Sequence, residues 1–166
     1  MAPAGRSRSR EDDRPSPDGA VPDRRTVGEA MLTGPATHGP DVTVEAAWTA
    51  LADPHRHLLL LVSGHRLVGT LDRGDLEAAG SPSEPALRHA TLVDRTVGVH
   101  EPLAVVHAEM VVRGQRRRAV VDAEGRLLGL LCLKSSGSGF CSDDGVAARR
   151  WERLGSPVRA CPAREG

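Results

Sequence analysis

Apolar positions in this chain fall into short blocks separated by turn residues. Leu58 to Val62 is a continuous apolar run, the pattern of a strand buried on both faces. Ser63-Gly64 turns the chain, and Arg66 to Leu71 returns as the partner strand. Upstream, Val44, Ala47, Trp48 and Leu51 fall at i, i+3, i+4 and i+7. That spacing predicts a helix from Val44 to Ala52, capped by Thr43 and ended by Asp53-Pro54. Thr26 to Leu32 predicts a short amphipathic lead-in, stopped by Gly34-Pro35, and Ala36-Thr37 a short strand. After the returning strand a helical turn is expected from Asp75 to Ala79, broken by Gly80-Ser81-Pro82.

The plan then recurs. Leu87 to Leu92 is a second lead-in and Thr96-Val97 a second short strand. Pro102 suits a first helical position, Leu103, Val106, His107 and Met110 form a stripe, and Gly114 is a stop. Ala119 to Val121 and Leu127 to Leu133 are the paired strands, joined through Asp122 to Gly125. An offset of sixty residues lays Arg118 to Ser136 beneath Leu58 to Leu76 without a gap. Arg66 meets Arg126, Gly69 meets Gly129 and Leu71 meets Leu131; farther up, Ala30 meets Ala90 and Leu32 meets Leu92. The copies diverge at a Gly/Ser loop, Ser135 to Gly139, after which Asp143 or Asp144 caps a last helix running to Leu154. The expected fold class is α/β of the α+β type: two pseudo-symmetric repeats, each a small mixed sheet with packed helices. They span residues 26–80 and 84–146, between a disordered tail (1–25) and a C-terminal helix with a loose tail (147–166).

Composition narrows the function classes. Formal net charge is zero, with 22 basic and 22 acidic residues, so no global field favours nucleic acid or an anionic membrane. Trp48, Trp151 and Phe140 are the only aromatic residues, too few for base-stacking platforms. Cys132, Cys141 and Cys161 show neither C-x-x-C spacing nor an even count, which points to a reducing cytoplasm. No apolar stretch approaches the ~20 residues of a membrane span. Lys134 is the one lysine among the basic residues, as a GC-rich bacterial genome would produce. No nucleophile with a base, pair of acids or metal constellation can be assembled, so the chain is not expected to be an enzyme.

The order strand, helix, strand, strand, with RLVGTLDRGDL (Arg66 to Leu76) and RRAVVDAEGRLLGLL (Arg117 to Leu131) in register, resembles the CBS domain. Two in tandem, covering Thr26 to Asp144, resemble the CBS pair or Bateman module. The resemblance implies sheets packed face to face and clefts that hold adenosine-containing ligands. It also implies a regulatory, non-catalytic role, a homodimer, and a separate effector protein as partner. Adenosine, AMP, ATP and S-adenosylmethionine are the candidate ligands, none as a required cofactor. A ligand-free interaction module is the alternative.

In ligand-binding members a Thr or Ser ends the third strand and an Asp follows three residues later. Asp75 holds the ribose position here, with helix capping as its other reading. Asp72 stands where the hydroxyl would be; a carboxylate ~4 Å from a phosphate costs ~4 kcal/mol at an effective dielectric near 20. In the second repeat Cys132 and Ser135 take these two places, so that site is expected to be degenerate. The resemblance therefore puts ligand binding at Thr37, His57, Asp72 and Asp75, with Val97, Arg117, Arg118 and Ser135 as further candidates. The arginine run from Arg116 to Arg118 reads either as a phosphate fork or as a solvated strand edge. His55 and His57 share a strand face but lack a third metal ligand at recognisable spacing.

Overall fold

The computed structural model describes residues 23–153, with side chains for 23–149; the remainder of both predicted tails lies outside the described residues. Six strands form two three-stranded sheets of one design. In the first, β1 (Thr37–His38) runs parallel to β2 (Leu59–Ser63), which pairs antiparallel with β3 (Arg66–Leu71). In the second, β4 (Thr96–Gly98), β5 (Arg117–Val121) and β6 (Leu127–Cys132) repeat the arrangement. A parallel pair needs a crossover, and α2 (Val44–Leu51) and α4 (Leu103–Val112) supply it. The shorter elements are α1 (Val27–Ala30), a 3-10 turn (Ala86–His89) and α3 (Arg73–Glu77); α5 (Asp143–Arg153) comes last.

The apolar run reads as its pattern predicts. Leu59 and Leu61 face α2, while Leu60 turns the other way and meets the second sheet with Leu58, Leu67, Ala119 and Leu130. Trp48 departs from expectation, being 39% exposed, while Val44, Ala47 and Leu51 alone carry the buried stripe of α2. Its position flanks the stripe, and the matching residue of α4, His107, is likewise only partly buried. Pro102 caps α4 from just outside the helix rather than opening it. At α5 the capping hydroxyl is that of Ser142, which accepts from Gly145 N at 3.2 Å. Asp143 instead reaches across to Thr33, accepting from its N at 3.0 Å and its Oγ1 at 2.8 Å.

The ungapped sixty-residue repeat needs correction. It holds from β3 and β6 onward, where Leu61 pairs with Gly69 and Val120 with Gly129. Upstream the offset is fifty-nine: Thr37 pairs with Leu60 as Thr96 pairs with Ala119. The buried residues Val44, Ala47 and Leu51 correspond likewise to Leu103, Val106 and Met110. The turn between β5 and β6 is one residue longer than that between β2 and β3, which absorbs the difference. Ala30 therefore matches His89, and Leu32 matches Thr91. A sequence so rich in Leu, Val and Ala matches itself passably at either offset, which hid the gap.

The two halves exchange their lead-in segments. Leu32 and Leu130 trade backbone hydrogen bonds of 2.8 and 3.0 Å, and Thr70 and Thr91 trade two of 3.0 Å. Val27 is thus buried with the helix and sheet of the second half, and Ala86 with those of the first. Each crossing passes over a glycine. A Cβ on Gly129 would lie 2.6 Å from Leu32 O and from Met31 Sδ, and one on Gly69 would lie 2.6 Å from Ala90 Cβ. These are the glycines that matched in the repeat.

Gly129→Ala and Gly69→Ala are each expected to cost about 1–3 kcal/mol by overpacking, a fall of several degrees in Tm by scanning calorimetry. Gly129→Ala should cost more, because it meets backbone. Gly80→Ala, with nothing within 4 Å, is the control and should be near neutral.

Candidate ligand-binding site

Two clefts flank the sheet pair, and His57 lines both. The first contains Asp72, Arg73 and Gly74 with Pro54 and Arg56. Here Asp72, not Asp75, is the helix cap: its Oδ1 accepts from Asp75 N at 3.1 Å, and Asp75 Oδ2 accepts from Asp72 N at 2.8 Å. This reciprocal capping box starts α3 at Arg73, three residues' worth of backbone earlier than a cap at Asp75 would allow. Both carboxylates then face Arg95, from the segment leading into β4. Its guanidinium donates to Asp75 Oδ2 at 2.7 Å and Oδ1 at 3.1 Å, and lies 2.8 Å from Asp72 Oδ2. Asp75, expected at the ribose, and Asp72, standing in the hydroxyl position, are both engaged by an internal cation.

Of the residues expected here, His57 and Asp72 line the cleft, whereas Asp75 and Thr37 are not among its lining residues. Thr37 is exposed on β1, opposite Leu60. The Thr70 hydroxyl is fully buried and donates to Thr91 O at 2.6 Å. Arg73 lines the cleft while its Nε donates to Leu51 O at the end of α2, at 2.9 Å.

The second cleft is larger, about 720 Å³, and its character is cationic. Arg116 and Arg117 from the start of β5 face Lys134 and Ser135 beyond the end of β6, with His55 and His57 on one side and α5 on the other. Among the described residues that line it there is no carboxylate. Leu32, Leu130, Leu133 and Val146 supply an apolar portion. Arg117 donates through Nη2 to His55 O at 2.5 Å, which ties the His55–His57 segment to β5. Its Nε is buried without a hydrogen-bond partner, an orphan donor in a site built around positive charge. Burial first, and then Arg117, Arg116, Arg73 and His55, hold the His57 imidazole below its ordinary range. Cys132 and Ser135, the residues expected to make the second site degenerate, both line this cleft.

Two of the further candidates do not reach either cleft with their side chains. Arg118 is only 5% exposed; Nη1 donates to Glu109 Oε2 and Nε to Gln115 Oε1, both at 2.9 Å. It occupies the place of Leu59 in the first half, so its role is structural, and the expected ligand contact is withdrawn. Strand alternation gives the reason: neighbours Arg117 and Arg118 must point to opposite faces. Val97 is 3% exposed in the core of the second half, and its side chain is likewise withdrawn. Sequence reasoning missed Lys134, Cys141 and Arg149 as lining residues, because the turn of chain that brings α5 back over β6 leaves no periodic signal. No three His, Cys, Asp or Glu side chains converge as a metal site among the described residues. Nor is any described helix long and apolar enough to cross a membrane.

No family profile and no curated protein matches this sequence. Solved structures do. The CBS domains of a transcriptional regulator from Streptococcus pneumoniae superpose with a TM-score of 0.55 at 20% identity, over 66% of this chain and 94% of that one. CBSX2, solved in complex with AMP, gives 0.57 at 21% identity over 77% and 98%. The CBS domain pair of protein MJ0100, in complex with 5-methylthioadenosine and S-adenosyl-L-methionine, gives 0.54 at 18% identity over 78% and 98%. Likeness at such identities speaks to the fold, which here is two small mixed sheets of one design. The chain is folded as a tandem CBS-domain pair.

Proposed function

We propose that the protein is a non-catalytic regulatory module that binds an anionic adenosine nucleotide in its second cleft and passes the bound state to a separate protein. The observation that carries this reading is the second cleft itself: arginines, lysine and histidines beside an apolar wall, with no lining carboxylate among the described residues. Arginine forks match phosphate oxygens bidentately, and the apolar wall suits a purine face. ATP and AMP fit that charge; S-adenosylmethionine, with its sulfonium, fits it poorly. This reverses the preference for the first cleft, where Arg95 already engages Asp72 and Asp75. The solved relatives with AMP or S-adenosyl-L-methionine support the ligand class without choosing within it.

Self-association belongs to the same reading. Val105 and Val112 lie seven apart on one face of α4, 54% and 85% exposed, with Val111 beside them at 49%. A second copy is the proposed partner for that face, and a net charge of zero leaves no long-range repulsion between copies.

Three measurements test the proposal. In calorimetric titrations with ATP, Arg117→Ala should weaken binding at least ~tenfold, since losing charge-assisted hydrogen bonds costs about 1.5–3 kcal/mol. Asp75→Ala should leave ATP affinity unchanged while lowering Tm, because it removes the bidentate partner of Arg95 and half of the α3 capping box. The opposite pattern would return the site to the first cleft. Affinity should also rise as pH falls from about 8 to about 6, because the imidazolium form of His57, disfavoured in the free protein, gains an anionic neighbour. His57→Gln should flatten that slope relative to the parent; an unchanged slope would remove His57 from the site. Light scattering at high micromolar concentration should give a dimer mass that Val105→Glu with Val112→Glu reduces to the monomer; a monomeric parent would sink the self-association.

A further inference from the structure

The hairpin that follows β6 brings two cysteines together at the mouth of the second cleft. Leu133 and Phe140 form an antiparallel bridge, framed by Lys134 N to Gly139 O and Cys141 N to Cys132 O, both 2.8 Å. That register sets Cys132 directly opposite Cys141. Directly opposed antiparallel residues have Cα atoms about 4.5–5.5 Å apart, inside the range of about 4.4–6.8 Å that disulfides span. Each thiol acts on the other, and the Cys141 thiol helps to hold the Cys132 thiol in its protonated form. Both cysteines are free, both are 8% exposed, and both line the cleft.

We propose that Cys132 and Cys141 are a reversible dithiol–disulfide pair whose closure pins the start of α5 to β6 and so fixes one wall of the second cleft. Two separate buried cysteines would ordinarily be inert packing; residues directly opposed across a hairpin, with Cys141 N bonded to Cys132 O, are placed to join. The oxidant is a small-molecule disulfide of the glutathione class. The Cys141 thiolate attacks one of its sulfurs, expels the first small thiol and forms a mixed disulfide. Cys132 then gives up its proton, attacks the Cys141 sulfur and expels the second small thiol. Two electrons pass to the oxidant, and both protein protons end on the released thiols. Burial raises the Cys132 thiol and Arg117 opposes that shift, which fits Cys132 as the second, internal attacker.

The consequence follows the chain. Cys141 leads through the Ser142 cap into α5, which carries Val146 and Arg149 to the cleft. A covalent tie at the root of that helix orders the wall in advance, so a ligand spends less on ordering it. The nucleotide arm of this inference rests on the function proposed above; the covalent arm does not.

The test uses the full chain with Cys161→Ser, oxidised with glutathione disulfide or reduced with dithiothreitol. Trypsin separates residues 127–134 from 135–149, so mass spectrometry should find them joined and short of two hydrogens only after oxidation. Hydrogen exchange of the α5 amides should slow at least ~threefold in the oxidised form, and ATP should bind about fivefold more tightly. Both differences should vanish in Cys132→Ser and in Cys141→Ser, whose far-ultraviolet spectra confirm folding. Thiols that stay free under the oxidant, or a disulfide that forms with α5 exchange unchanged, would overturn the inference. Slowed α5 exchange with no ATP binding in either form would uphold the redox pair and overturn the nucleotide proposal.

Discussion

Everything in this fold depends on two backbone crossings that only glycine permits. At Gly129 the passing segment is Leu32 with Met31, and at Gly69 it is Ala90 with Leu87. With no Cβ in the way, each lead-in lies close enough to bond the third strand of the opposite half, Leu32 to Leu130 and Thr91 to Thr70. Neither half then owns a complete core: Val27 closes the second and Ala86 the first. A half this small would bury little apolar surface by itself. Exchange makes each half part of the other's interior, and the layer of Leu58, Leu60, Leu67, Ala119 and Leu130 between the sheets joins them.

Within this symmetric frame the polar residues break the symmetry, and they do so by charge. Beside the first cleft, two carboxylates form the capping box of α3, and the protein answers them with Arg95. The second has a thiol and a hydroxyl at the matching positions and gathers arginines without an acid to answer them. Pairing within the chain engages the acids beside one cleft and leaves the other lined by cations alone. The same reasoning separates neighbours on β5. Arg118 points inward and is ion-paired with Glu109, whereas Arg117 points to the cleft with one donor unsatisfied. A single step along a strand turns a structural cation into a candidate ligand contact.

The repeated pattern of the sequence was enough for the plan of the fold. Buried-strand runs, the stripe of α2, glycine stops and the recurrence of all three are local properties, legible because strand and helix periods impose themselves on residue order. The matched glycines at 69 and 129 were visible too, though not what they were for. What tertiary structure alone decided was relational. The one-residue gap between repeats appears only when strand partners are known, since leucines align at either offset. Asp72 and Asp75 carry the family's spacing, yet Arg95, twenty residues beyond Asp75, engages both. Lys134, Cys141 and Arg149 join the second cleft because a Gly/Ser loop folds back over β6, a placement no local periodicity encodes. Side-chain identity set what each residue could do chemically; which of those capacities was already used internally was decided by who stands opposite, and that is a property of the folded chain.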